Sequence, residues 1–337
     1  MYTFVKPSVT LLDQEDLELK VEQCYRICYK SEHKMQENDR SFLKSIVNQT
    51  TDTPHWSPLE HARIELEVSN FVGNTLKQWE YNRGTKFLTL SPVENGRYRV
   101  TGNFRTLKEF IVDDSRPNVT LYAQGALSYL LSQKYPNIFL QSRSSKYQSE
   151  LRREEIQRPY TSLWQRIKNN LIDRISESDV EVIGQDPFYA TFHIVTTRDI
   201  LQELARHRSM SFSVESTRYC NYGKRGIVFT YPDPYPWARE LRDEFSESKS
   251  PKAQMYLEAI EVASTTYEKM LEEGMKPQEA RMVLPGALKT ELIMTGTYKA
   301  WEHFIKLRCS SAAHPQIRLL AEQIEKLIKA KKEAYQN

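Results

Sequence analysis

Residues 206–219 read Arg206-His207-Arg208-Ser209-Met210-Ser211-Phe212-Ser213-Val214-Glu215-Ser216-Thr217-Arg218-Tyr219. Three cationic or cationisable side chains stand together, and Ser216 and Arg218 follow after a seven-residue gap. Such a density of donors suits a dianionic ligand and the polar edge of a base. Arginine is well shaped for this, because its planar fork can meet a phosphate with two parallel hydrogen bonds. Just upstream, Phe188 to Val195 reads as a buried strand. Arg198 to Arg208 then reads as a helix with Ile200, Leu201, Leu204 and Ala205 on its apolar side. Glu203 lies on that helix within reach of Arg206 and His207, which predicts an ion pair on one helix face.

Nearer the N-terminus, residues 13–50 carry Leu17, Val21, Tyr25 and Ile27 at helical spacing, and Thr51-Asp52-Thr53-Pro54 breaks the pattern. After His55-Trp56-Ser57-Pro58-Leu59-Glu60-His61, the run Arg63 to Val68 alternates strictly, so Ile64, Leu66 and Val68 share one face of a strand. Phe87 to Leu90 and Arg97 to Val100 flank an Asn95-Gly96 turn, a hairpin signal. Thr106 to Val112 and Ala123 to Lys134 read as helices, and the polar stretch 141–160 as a mobile segment. Residues 69–187 are taken together as an inserted or elaborated segment with elements of its own. Tyr231 to Trp237 is an aromatic, proline-rich connector, and from Ala238 the pattern predicts helix to the end, broken near Gly274 to Pro277 and at Pro285-Gly286.

The chain has 337 residues, 39% hydrophobic and 27% charged, which is ordinary for a globular protein with a sizeable core. A net charge of +3 is too small an excess for a general nucleic-acid binder. No apolar run approaches the roughly 20 residues that cross a bilayer, and the N-terminal residues lack a signal-peptide pattern. Four sparse cysteines fit a reducing, cytoplasmic setting, and Cys24 and Cys28 have no second pair to complete a zinc site. The spacing of His55 and His61 does not match a helical metal pair, so no metal site is expected. Without Gly-x-Gly-x-x-Gly or Gly-Lys-Ser/Thr, neither a Rossmann site nor a phosphate loop is supported.

Three segments, in order, resemble the flavin-dependent thymidylate synthases. The first is His55-x-Ser57-x-x-Glu60-His61 leading into a strand. The second is the Arg206-His207-Arg208 to Ser216 to Arg218-Tyr219 segment. The third is Ala280-Arg281-Met282-Val283-Leu284-Pro285 with a late helix ending in Leu307-Arg308, loosely followed by Ala313 to Arg318. The resemblance implies an α+β fold: a mostly antiparallel sheet flanked by helices, with a helical C-terminal half and a large insertion. It implies one catalytic domain over 1–337, with 69–187 inserted, acting in the cytoplasm of a bacterium or a virus-infected cell.

The same resemblance implies conversion of dUMP to dTMP, with FAD as cofactor and NADPH and methylenetetrahydrofolate as co-substrates, in a homotetramer with shared active sites. It places Glu203, Arg206, Ser216, Arg218, Arg281 and Arg308 around dUMP. Ser216 and Arg218 fall near the phosphate, and Arg308, with Arg281, near the base. It places His55, Ser57, Glu60, His207, Arg208, Thr297, Lys299 and His303 around FAD. Arg308 and Ser216 are the catalytic expectations, Ser216 as a hydrogen-bond donor, since no positioned base activates it as a nucleophile. Glu203, Thr297 and Lys299 depart from the family pattern. They keep open a non-catalytic relative that binds a nucleotide or RNA through the same basic cluster. A structural helical oligomer with an incidental basic patch is the third reading.

Overall fold

The computed structural model describes residues 2–36, 38–48, 55–83, 87–113, 115, 117–139, 176–242 and 249–334. The break expected at 51–54 and the polar stretch 141–160 lie outside the described residues. The strands are β1 (Tyr2–Val5), β2 (Ser8–Leu11), β3 (Arg63–Val68), β4 (Thr89–Pro92), β5 (Tyr98–Asn103), β6 (Val180–Gln185), β7 (Tyr189–Thr197), β8 (Ser211–Val214), β9 (Ile227–Thr230) and β10 (Lys289–Thr297). The helices are α1 (Leu17–Tyr29), α2 (Ser41–Val47), α3 (Asn70–Arg83), α4 (Phe104–Val112), α5 (Pro117–Lys134), α6 (Pro136–Phe139), α7 (Arg198–Leu204), α8 (Tyr222–Arg225), α9 (Pro251–Glu272), α10 (Pro277–Ala280), α11 (Tyr298–Arg308) and α12 (Pro315–Ala334). The chain forms two compact units: Met1–Asp13, Gln23–Met35 and Phe188–Asn337 in one, Gln14–Glu22 and Gln36–Pro187 in the other. The second contains the whole 69–187 segment and closes with it at Pro187, but also takes in 14–22 and 36–68.

The first unit is organised by an antiparallel sheet of order β2-β7-β10-β8. Along β10 successive side chains point to opposite faces. Leu292 and Met294 join Phe192, Ile194, Trp301, Phe304, Leu320 and Ile324 in one buried core. Ile293 packs on the other side with Cys24, Ile27 and Cys28. Trp301 is fully buried and satisfies its ring N–H on the Ala190 carbonyl at 3.0 Å. A parallel pair, β1 with β9, forms a second small core with Tyr222, Ile260, Tyr267 and Leu288. The fold is α+β, with antiparallel sheets and this one short parallel pair.

The second unit holds an antiparallel sheet of order β4-β5-β3-β6. Ile64, Leu66 and Val68 are buried, as the alternation requires. β4 and β5 pair Thr89 with Thr101 and Pro92 with Tyr98, around Asn95 and Gly96, both at positive φ. That backbone is the one an Asn-Gly turn supplies without steric cost. Helix α3 lies so close to β5 that a Cβ on Gly73 would meet the Tyr98 ring at 2.4 Å and its Cβ at 2.9 Å. Alanine ordinarily gains about 1 kcal/mol over glycine inside a helix. Here we expect Gly73→Ala to lose about 1–3 kcal/mol instead, as overpacking does. Urea unfolding of the variant decides the sign.

Three readings of the sequence are corrected. The region after Ala238 is not helical throughout, because Lys289–Thr297 is a central strand. Its run Leu292-Ile293-Met294 is buried on both faces, and a continuous apolar run does not distinguish strand from helix. The helix predicted over 198–208 stops at Leu204, so Arg206–Arg208 stand in the turn beyond it. Phe188, read as the start of a buried strand, is 65% exposed and precedes β7.

Candidate functional site

Two adjacent strands, each ending in a threonine, build the first group of site residues. Thr197 closes β7 and caps α7 by accepting the Ile200 N–H at 3.2 Å. Thr297 closes β10 and caps α11 by accepting the Ala300 N–H at 3.0 Å. Threonine suits this position because its hydroxyl satisfies a donor the helix leaves unpaired. The C-terminal ends of these helices meet through Arg308, the last residue of α11. Its guanidinium donates to the Glu203 carboxylate at 2.8 Å, to the Glu203 carbonyl at 3.1 Å and to His207 Nε2 at 3.0 Å. Glu203 is therefore paired with Arg308, not with Arg206 or His207 as the sequence suggested. The helix ends before those two residues can share a face with Glu203.

This arrangement fixes the protonation of His207. Its Nε2 accepts, so the ring is neutral with the proton on Nδ1. Burial, then the Arg308 charge, then His303 hold its pKa down to about 4. The His207 and His303 rings lie 6.5 Å apart. Arg206, Arg208, Lys299 and His303 are exposed, while His207 is buried. The Thr297 hydroxyl is engaged as a helix cap.

A second group forms around the turn after β8. The Ser216 carbonyl accepts the N–H groups of Tyr219 and Cys220, and the Ser216 hydroxyl accepts the Arg218 N–H at 3.3 Å. Arg281, in the turn that follows α10, donates to the Thr217 hydroxyl at 2.8 Å from 64 residues away. Arg218 donates to Gln278 on α10 at 3.3 Å. Two arginines from distant parts of the chain thus share one turn, and both are exposed.

In the second unit, Ser57 and Glu60 sit on a 3-10 turn, Ser57–His61, anchored by buried Pro58 and Leu59. Glu60 accepts from Arg105 at 2.5 Å, and Arg105 also donates to Glu109 at 2.8 Å. His55 is exposed. Buried Lys108 stands over the Trp56 ring at 5.5 Å and donates to Asn48 at 3.2 Å and to the Ile138 carbonyl. Its burial pushes its pKa down to about 8.

Sequence reading missed a buried charge network beside the Ser216 turn. Glu215 is 1% exposed and accepts from Lys289 at 2.9 Å and from the Tyr222 hydroxyl at 2.9 Å, with Lys30 at 3.5 Å. Lys289 also pairs with Glu291, which His193 holds at 3.1 Å. The His193 hydrogen bond, with help from Lys289 and against burial, brings the Glu291 pKa down to about 2. The alternation Lys289-Thr290-Glu291 puts both charges on one strand face, but nothing local shows that the face is buried.

Among the described residues no cluster of three His, Cys, Asp or Glu could hold a metal ion, and no helix is long and apolar enough to cross a membrane. Cys24, Cys28 and Cys220 are buried thiols. The chain is similar to a probable flavin-dependent thymidylate synthase of Mycobacterium phage L5, 33% identical over 159 residues, covering 46% of this chain and 62% of the relative. It is also similar to the flavin-dependent thymidylate synthase of Mycobacteroides abscessus, 34% identical over 137 residues, covering 39% of this chain and 54% of the relative. The chain thus covers less than two thirds of the length of these relatives. A solved structure, the UMP/dUMP methylase PolB from Streptomyces cacaoi bound with 5-Br dUMP, is 28% identical and covers 44% of this chain and 71% of its own, with a TM-score of 0.34. The sequence profile of the thymidylate synthase complementing proteins matches residues 10–99 and 112–332, and the chain belongs to that family.

Proposed function

We propose that this chain is an FAD-dependent thymidylate synthase that methylates dUMP to dTMP, with methylenetetrahydrofolate as carbon donor and NADPH as reductant. The observation that carries the reading is the meeting of Arg218 and Arg281 at the Ser216–Thr217 turn. Exposed guanidinium groups and a serine hydroxyl are what a nucleotide phosphate needs. Ser216 and Arg218 hold the phosphate, with Arg281 beside them. Arg308 orients the base, and its charge stabilises the negative charge that develops on the uracil carbonyls. Glu203 and His207 aim the Arg308 guanidinium, and Arg206 completes the nucleotide site.

The donor set on the turn after α7 fits FAD. Arg206 and Arg208 are exposed cations suited to a diphosphate, and His207 and His303 lie beside them. His55, Ser57, Glu60, Thr297 and Lys299 complete the proposed flavin residues, although Glu60 and Thr297 already hold intrachain partners. Bound FAD supplies hydride transfer, which no side chain can. The protein's own work is to bind, orient and exclude water. The two groups, around Arg308 and around Arg218, are proposed to serve active sites shared between subunits of a cytoplasmic homotetramer. The whole chain then acts as one catalytic domain, with 69–187 as its elaboration.

The test is tritium release from 5-labelled dUMP with folate, NADPH and FAD. Arg218→Ala is expected to raise the dUMP Kd about 10–100-fold, the size of a lost charge-assisted hydrogen bond, while flavin content stays unchanged. A protein that gains no flavin absorbance with added FAD and releases no tritium sinks the reading. The engagement of Thr297 as a helix cap favours a second reading, a non-catalytic nucleotide- or RNA-binding relative. That reading predicts dUMP binding without tritium release.

A further inference from the structure

We propose that Glu215 and Lys289 are positioning residues whose buried ion pair sets the geometry of the Ser216–Arg218 turn for a nucleotide phosphate. This rests on the function proposed above. The pair lies at 2.9 Å, with Glu215 and Lys289 1% and 4% exposed. Removing two charges from water is costly, and apolar residues of similar size often serve stability as well or better. A buried pair at this place therefore asks for a role other than stability.

The surroundings supply one. Every polar group of Glu215 is held, by partners from several elements. Its carboxylate takes Lys289 of β10 and the hydroxyl of Tyr222 of α8, with the Lys30 ammonium alongside. Its N–H donates to the Glu291 carbonyl at 2.8 Å, and its carbonyl accepts from Arg198 at 3.1 Å. The next N–H, of Ser216, donates to the Cys28 carbonyl at 3.1 Å. The backbone entering the turn is clamped immediately before the residues that would meet the phosphate.

Lys30 strengthens the case. It follows α1 at φ +50, a conformation that residues with side chains avoid and glycine adopts freely. Arg225 holds that bend by donating to the carbonyls of Tyr29 and Lys30. Lys30, at a position where glycine fits better, places a second ammonium beside Glu215. With both lysines retracted onto Glu215, neither is offered to the ligand directly. Their effect passes through the backbone of Glu215 and Ser216, which makes the pair positioning rather than catalytic.

The test compares binding of dUMP and deoxyuridine, which differ only by the phosphate, to wild type and to Glu215→Gln/Lys289→Met. The double variant removes both buried charges and keeps their volume. Expected is a rise in its dUMP Kd of about tenfold, with deoxyuridine affinity within about twofold of wild type and flavin content unchanged. Should the double variant not fold, Glu215→Gln alone keeps one of the two acceptor oxygens and leaves Lys289 paired with Glu291, and it is read in the same way. An unchanged preference for dUMP over deoxyuridine overturns the inference while leaving the function standing. Equal loss of both ligands in a folded variant overturns it too, because that is a general structural effect. A wild-type protein that binds no dUMP overturns the function itself and this inference with it.

Discussion

Lys289→Ala is expected to lower the free energy of unfolding by about 3–5 kcal/mol, the cost of leaving a buried charge without its partner. The Glu215 carboxylate is buried, and Lys289 is its closest cation, at 2.9 Å. Lys30, 3.5 Å away and 23% exposed, stays behind as a partial partner, which sets the result toward the lower end of the range. Glu291 also loses Lys289 and keeps His193. Glu215→Gln/Lys289→Met, which removes both charges together, is expected to stay within about 1.5 kcal/mol of wild type, as volume-conserving swaps do. Urea unfolding of the three proteins measures this, with a common m-value showing that the transitions are comparable. A loss below about 1 kcal/mol for Lys289→Ala would mean that water reaches the pair and that it behaves as a surface bridge.

This pair also marks where the sequence stops being legible. Glu215 and Lys289 are 74 residues apart, and each looks like an ordinary surface charge. Their meeting depends on β8 pairing with β10, and β10 itself was hidden inside a region that read as helix. Leu292, Ile293 and Met294 are buried on both faces of the sheet, so they lack the alternation that exposed Ile64, Leu66 and Val68 as a strand. The Asn95-Gly96 hairpin was legible because its chemistry is local: two residues at positive φ close the turn. The same contrast holds at the candidate site. Arg206, Ser216, Arg218, Arg281 and Arg308 could be picked out as residues, yet their partners could not. Arg308 reaches Glu203 across 105 residues and Arg281 reaches Thr217 across 64. Helical spacing pointed Glu203 toward Arg206 or His207, but α7 stops at Leu204 and leaves Glu203 to a guanidinium from another helix.

Acidification from pH 7 to pH 4 is expected to cost the wild-type protein about 2–3 kcal/mol through His207 alone. The folded pKa, about 4, lies below the ordinary histidine value of 6.5. The folded state therefore prefers the neutral ring, and between these two values the unfolded chain binds the extra proton. The stabilisation is complete above pH 6.5, declines as pH falls through the window and is gone near pH 4. The structural cause is specific. Protonating His207 Nε2 removes the acceptor that Arg308 uses at 3.0 Å and sets two cations side by side in a buried position. His207→Gln keeps a neutral acceptor for Arg308 but cannot titrate. Urea unfolding at pH 7 and pH 4 should show the wild type losing this amount relative to the variant, since every other titrating group is common to both. Parallel pH profiles for the two proteins would show that burial and the Arg308 charge do not hold His207 neutral.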